Sequence, residues 1–496
     1  MKNLHLICLI AVTLFGLGFI VTSCSKEDTA APTVTVTPGE TSDHFLTFTV
    51  TAENANECAW ICIESENPVP SAESILASGN KTDAVSQTTV KANGLKPQTS
   101  YTIVAAASGK GGTATSSPIT MTTQKQRSHT LIVYMMGNNG LEKFMDNNLN
   151  KIMGVADRIP ENGRIAVFYD RGNYTRLTEL VKAEDGRIIQ DVIQEFAPDN
   201  TSSVDPDFMS RIIEIAKERM PAETYGLIMS SHGGGWVPSD TYDRYLMAEN
   251  ETKSLKRTTR FFGQDDMDCM EIPALSKALA NTHYEYILFD ACFMSSIEAL
   301  YDMRKNTNYI IASSAEVLGT GFPYQEIIPL LFRSNHGLEE SCESFMKLYR
   351  KSSGTISLID CKELENLAAR MKDINAVAGS VSDISQIQHY DGFKTHIFFD
   401  LEQYASAISP DKNLTEAFLN ALRRAVPYTD HSPTFYTECG KPQTIDLPES
   451  CGLTCHIEQT ADPEIHKEFL NTGWQKTPEP GKKPFKFYYP KFSNSS

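Results

Sequence analysis

At 496 residues the chain is longer than one hydrophobic core normally serves, so two or three domains are expected. Hydrophobic residues make up 41% and charged residues 22%, a globular composition with no tract poor enough in apolar residues to read as long disorder. The formal net charge of -17 argues against a nucleic-acid partner, because phosphate contacts need a basic face; it suits solubility alone or a basic peptide substrate.

The chain opens with Lys2, an apolar run from Leu4 to Val21, and the small residues Thr22 and Ser23 before Cys24. A positive start, an apolar stretch and small residues at its end make an export signal, so residues 1–23 stand outside the fold. Val21-Thr22-Ser23-Cys24 resembles a lipobox, after which bacterial lipoproteins are cleaved and the new N-terminal cysteine is lipidated. A transmembrane anchor is the rival, since the run approaches the ~20 residues that span a bilayer. Ser25-Lys26-Glu27-Asp28, in a linker over 24–31, is similar to export tags of surface lipoproteins in some Gram-negative bacteria. These resemblances imply a cell-envelope protein held to a membrane, most simply the outer membrane, through lipid on Cys24, with surface exposure as a further step.

Residues 32–123 read as all-β. Thr33-Val34-Thr35-Val36 and Phe45-Leu46-Thr47-Phe48-Thr49-Val50 alternate β-branched and polar residues between turn signals, which predicts a small sandwich. Cys58 and Cys62 fall in such a stretch, where four residues span about 13 Å, beyond the ~7 Å between Cα atoms that a disulfide tolerates. The segment Gly94-Leu95-Lys96-Pro97-Gln98-Thr99-Ser100-Tyr101 resembles the tyrosine-corner stretch of fibronectin type III domains, with Tyr101 as the corner residue. Such a domain serves either as a spacer or as a binding module.

From His129 the rhythm changes. Apolar runs at 130–135, 164–169, 225–229, 286–289 and 309–312 suit strands buried on both faces, and they alternate with helical stretches such as Phe208 to Arg219 and Ile272 to Asn281. That alternation predicts an α/β domain with a parallel sheet covered by helices, over residues 127–385, whose ligands bind at the carboxyl ends of strands. Residues 386–496 carry weaker signals: a helix near Leu414 to Ala425, a strand near Cys451 to Ile457, and a Pro- and Lys-rich tail.

Two predicted strands end in chemically loaded loops. Ser230-Ser231-His232-Gly233-Gly234-Gly235 can present an imidazole while glycine backbone approaches a substrate carbonyl. Asp290-Ala291-Cys292 leads into a helical stretch from Ser295 to Arg304, and a helix N-terminus favours thiolate. A cysteine and a histidine at neighbouring strand ends are the minimal equipment for covalent acyl transfer.

His232-Gly233 followed by Asp290-Ala291-Cys292 resembles the paired motifs of the clostripain family of cysteine peptidases, which have a caspase-like α/β fold. The run from Tyr134 to Glu142, Ala312-Ser313, and Gly319-Thr320-Gly321-Phe322-Pro323-Tyr324 extend the resemblance over roughly residues 129 to 475. It implies an extracytoplasmic endopeptidase with Cys292 as nucleophile, His232 as acid and base, and the backbone N–H groups of Gly233 and Cys292 as oxyanion donors. It also implies Asp290 as the S1 acid selecting Arg or Lys, with Glu316 as a second carboxylate. Ser314-Ala315 and Asn138 depart from the more acidic family pattern. The basic connection containing Lys256, Arg257 and Arg260 is expected to be cut by the enzyme itself, against the alternative of a solvated surface loop.

The chemistry requires no cofactor. Gln264-Asp265-Asp266-Met267-Asp268 offers oxygen ligands for calcium without the spacing of a known calcium loop; an acid-rich helix start, with Asp268 near the N-cap, explains it equally well. Cys439, Cys451, Cys455 and His456 invite a zinc reading that strand alternation opposes, since His456 faces away from Cys451 and Cys455. Two rival functions remain: a catalytically silent surface adhesin on the same fold, and a thiol redox protein, which lacks a resolving cysteine near Cys292.

Overall fold

The computed structural model describes residues 30–43, 45–83, 87–125, 128–197, 202–237, 262–378, 383–458 and 463–476. The chain divides into two units, Met1–Gln124 and Lys125–Ser496. The expected export signal over residues 1–23, Cys24 and the basic residues Lys256, Arg257 and Arg260 lie outside the described residues.

In the first unit, β1 (Thr33–Thr41), β2 (Phe45–Glu53) and β5 (Gln87–Asn93) form one antiparallel sheet. The other contains β4 (Asn80–Thr82), β3 (Glu57–Glu64), β6 (Ser100–Gly109) and β7 (Gly112–Thr115), with β8 (Ile119–Thr122) also on β6. Leu46, Phe48 and Val50 of β2 turn inward by strand alternation and meet Trp60, Tyr101, Ile103 and Ala105 of the second sheet, closing a sandwich. The Tyr101 hydroxyl accepts the Lys96 N–H at 2.8 Å. Cys58 and Cys62 on β3 are both free thiols.

The second unit is built on a sheet in the order β12-β11-β10-β9-β13-β16-β17-β18-β20. Its middle is parallel: β10 (Gly163–Asp170), β9 (His129–Met136), β13 (Thr224–Ser230), β16 (Tyr284–Asp290) and β17 (Thr307–Ala312). These are the five apolar runs of the sequence. Antiparallel strands flank them: β11 (Thr175–Lys182) and β12 (Ile188–Phe196) on one side, β18 (Thr355–Asp360) and β20 (Tyr428–His431) on the other. Alternate residues of β9 enter two different cores, Ile132, Tyr134 and Met136 on one face and Leu131, Val133 and Met135 on the other. Helices Pro206–Arg219 and Ile272–Ala278 cover the first face, and Glu142–Met153, Tyr324–Leu331 and Leu338–Tyr349 the second. Burial on both faces is why the parallel strands read as continuous apolar segments.

Two segments differ from expectation. Residues 264–269 form a hairpin of β14 (Gln264–Asp265) and β15 (Asp268–Cys269) with Asp266 left-handed at its tip, and the following helix begins only at Ile272. Asp265 points inward, accepting Ser203 N–H at 2.9 Å and the Asn138 amide at 2.7 Å; a carboxylate at position 138 would repel it. Around Cys451 the extended strand shrinks to Thr454–Cys455, because Gly452 adopts φ 83° and its carbonyl accepts the hydroxyls of Ser295, Ser314 and Ser357 at 2.6, 3.0 and 2.8 Å. His456 turns its ring toward Trp236 and Phe469, and among the described residues no group of three or more His, Cys, Asp or Glu side chains is placed to hold a metal ion.

A Cβ at Gly452 would lie 2.4 Å from Ser357 Oγ and 2.5 Å from Thr429 Oγ1 in a backbone conformation hostile to side chains. Gly452→Ala should therefore cost about 2–3 kcal/mol, read as a lowered urea midpoint with unchanged slope.

Candidate active site

Strand pairing sets the site. β13 and β16 run parallel with Ser230 opposite Asp290, and each chain continues two residues before its reactive side chain, His232 or Cys292. Both side chains therefore leave the same end of the sheet from adjacent strands. The backbones touch beyond the sheet: a Cβ at Gly233 would lie 2.5 Å from the Cys292 carbonyl oxygen and 3.1 Å from its nitrogen. Glycine is required there for close approach.

Each loop is fixed by hydrogen bonds. Ser231 Oγ donates to Met136 O at 3.3 Å and accepts Gln264 N–H at 3.0 Å, while Gly263 N–H donates to His232 O at 3.0 Å. On the cysteine side Phe293 takes φ 58°, a left-handed conformation that bulky side chains avoid. It is held there by its N–H on Ala315 O at 3.1 Å and by stacking on Phe398, ring centroids 4.7 Å apart. This costly turn directly follows the thiol and aims it outward. The helix after it spans only Ile297–Met303, so Cys292 sits upstream of its first turn, and the expected helix-dipole assistance does not apply.

Cys292 is partly exposed, with Val317 N–H 3.4 Å from Sγ. Its surroundings are poor in water, which pushes the thiol well above its ordinary value; nearby Glu316 and Asp290 add to this, and the Val317 amide opposes it. Burial pushes the His232 imidazole the other way, below its ordinary value. Both effects favour the uncharged forms, so the resting pair is thiol and neutral imidazole.

A pocket of about 340 Å³ opens over the pair, within the usual size of a ligand site, and is lined by both motifs together with Phe144, Asn148, Asp290, Glu316, Tyr436 and Glu438. Asp290 is buried and accepts the Tyr324 hydroxyl at 2.7 Å and, more loosely, Ser230 Oγ at 3.5 Å. Burial raises its pKa to about 6, against those hydrogen bonds and the Lys151 charge. Glu316 also lines the pocket, but its Oε2 accepts the amides of Glu438 at 2.8 Å and Cys439 at 3.5 Å. Sequence reasoning assigned no role to Tyr324, Phe144, Tyr436 or Glu438. Tyr324 closes the Gly319-to-Tyr324 motif; the others carry no local signal.

Residues 133–425 match the profile of Peptidase_C11, the clostripain family, and the chain belongs to that family. It is 25% identical over 236 residues to clostripain of Hathewaya histolytica, a match covering 41% of this chain and 42% of that protein, so the chain spans less than half of that relative's length. The structure of an inactive zymogen C11 protease from Parabacteroides distasonis is 28% identical, with a TM-score of 0.62, covering 71% of this chain and 98% of the other. A secreted C11 cysteine protease from Bacteroides thetaiotaomicron, in complex with an irreversible peptide inhibitor, is 27% identical with a TM-score of 0.62, covering 70% and 97%.

A neutral resting pair has a readable signature. The alkylation rate of Cys292 by iodoacetamide should climb continuously from pH 6 to 9; a rate already on a plateau at pH 6 would show a preformed thiolate instead.

Proposed function

We propose that this protein is an extracytoplasmic cysteine endopeptidase that cleaves proteins or peptides after Arg or Lys. The observation that carries the reading is the register of β13 on β16, which brings His232 and Cys292 out side by side at the rim of one pocket containing Asp290. Substrate binding displaces water from this pocket, and His232 takes the Cys292 proton as sulfur attacks the scissile carbonyl. The backbone N–H groups of Gly233 and Cys292 receive the developing oxyanion, a contribution of about 3 kcal/mol per donor. The imidazolium then protonates the leaving amine, and water, deprotonated by the same imidazole, hydrolyses the thioester. Asp290 supplies the S1 charge, and Glu316, which lines the same pocket, adds to the negative potential that attracts a basic side chain.

The peptide-inhibitor complex of the Bacteroides thetaiotaomicron protease supports a peptide substrate, and its description as secreted supports the export reading of residues 1–23. On this proposal Cys24 carries lipid at the cell envelope, and the first unit is a fibronectin type III-like module, a reading supported by its sheet order and the Tyr101 hydrogen bond. The zymogen state of the Parabacteroides distasonis protease supports activation by cleavage after Lys256, Arg257 or Arg260. Purified wild type should then resolve into two fragments under conditions where Cys292→Ala stays intact; an intact chain that hydrolyses an arginyl peptide contradicts self-cleavage.

Fluorogenic Arg and Lys peptides should be hydrolysed by wild type, with kcat/KM reduced by at least about 10³-fold in Cys292→Ala and His232→Ala. Equal turnover by Cys292→Ala removes the assignment. Asp290 is neutral below about pH 6 and ionised above it, so the ratio of kcat/KM for Arg over Leu at P1 should rise through that pH and level off above it. The ratio cancels the shared ionisation of His232, and in Asp290→Asn it should become flat.

A further inference from the structure

Two large aromatic side chains at the pocket mouth remain exposed, Phe144 at 43% and Tyr436 at 38%. Tyr436 lies on β21 (Thr434–Thr437), which pairs with β22 (Gln443–Asp446). Phe435 and Thr437 turn into the core, so strand alternation sends Tyr436 and Glu438 to the opposite side, about 7 Å apart. Both border the pocket, and Glu438 is exposed. The hairpin's backbone is anchored independently of these two side chains, by Tyr436 N–H on Ser353 Oγ at 2.9 Å and by the Glu438 amide on Glu316.

Among the described residues lining the pocket there is no Lys or Arg. Asp290 is buried beneath the Tyr324 hydroxyl, and Glu316 is engaged by backbone amides; a single basic side chain placed on Asp290 leaves the Glu438 charge unanswered. An aromatic face with a carboxylate two residues further along the chain, just past the end of β21, suits an ammonium or guanidinium group, which gains cation–π attraction and an ion pair together. The placement is also fixed relative to the nucleophile. Glu438 N–H binds the Glu316 carboxylate, and the next residue, Val317, donates to Cys292 Sγ.

We propose that Tyr436 and Glu438 form a second subsite for a basic side chain near the scissile bond, so that preferred substrates carry two basic residues rather than one. The inference rests on the peptidase reading above and adds a substrate class to it. Peptides of equal length with Arg at P1 and Lys or Leu placed in turn at P3, P2, P1′ and P2′ test it. At one of these positions wild type should favour Lys by about fivefold in kcat/KM at low salt, the scale of a partly exposed ion pair. Glu438→Gln should bring that ratio near one, Glu438→Lys should invert it, and Tyr436→Ala should reduce it part of the way. Raising ionic strength from about 0.05 to about 0.5 M should shrink the wild-type ratio. If wild type cleaves the single-Arg peptide yet the ratio stays near one at every position, or survives in Glu438→Gln, the subsite is overturned while the peptidase reading stands. Absence of cleavage in both wild type and Cys292→Ala removes the peptidase reading and the subsite with it.

Discussion

Parallel pairing between β13 and β16 is the constraint on which the site depends. Side chains alternate faces along a strand, so a slip of one residue would send every core residue of β16 to the wrong side of the sheet. Leu288 belongs to one core and Ile287 and Phe289 to the other, and all three are buried; such a slip would have to repack both layers. Register is thus held by the apolar interior, and it places Ser230 against Asp290. With that pair fixed, two further residues of chain on each side are enough to bring a thiol and an imidazole to one rim.

The remaining machinery tightens this placement. Gly233 lets the histidine loop lie against the cysteine loop, and the left-handed Phe293 turns the chain sharply once the thiol has been presented. Strain at Phe293 persists because a backbone hydrogen bond and a stacked ring over-determine it. The same poorly hydrated setting keeps sulfur and imidazole uncharged at rest. On the proposed mechanism, charge separation is deferred until a substrate carbonyl and the oxyanion donors are in place to receive it, which limits idle reactivity of the thiol.

Much of this was legible in the sequence because burial on two faces writes itself as uninterrupted apolar residues, as in Leu131 to Met135 or Tyr286 to Phe289. The loops at the ends of those strands followed at once, and with them His232 and Cys292. Strand β12 escaped notice because it lies at the edge of the sheet, where burial is patchy and Ile189 and Val192 face solvent. Strand β20, Tyr428–His431, is four residues of mixed polarity and is a strand only because β18 pairs with it. The pocket wall was equally hidden. Tyr324 reaches Asp290 across 34 positions, and the amide of Glu438 reaches Glu316 across 122, so neither contact leaves a local pattern. The hairpin at 264–269 was obscured for the opposite reason, since acids suit a helix start and a tight turn alike.

The carbonyl of Gly452 joins three hydroxyls from separate parts of the chain, one from the loop after Cys292, one after β17 and one on β18. Until residue 452 has been synthesised, Ser295 and Ser314 lack the acceptor that satisfies them in the finished core. Assembly around the thiol is therefore coupled to the late arrival of distant chain. A nascent chain therefore carries Cys292 about 160 residues before the carbonyl that ties its loop to the segment after β17 and to β18.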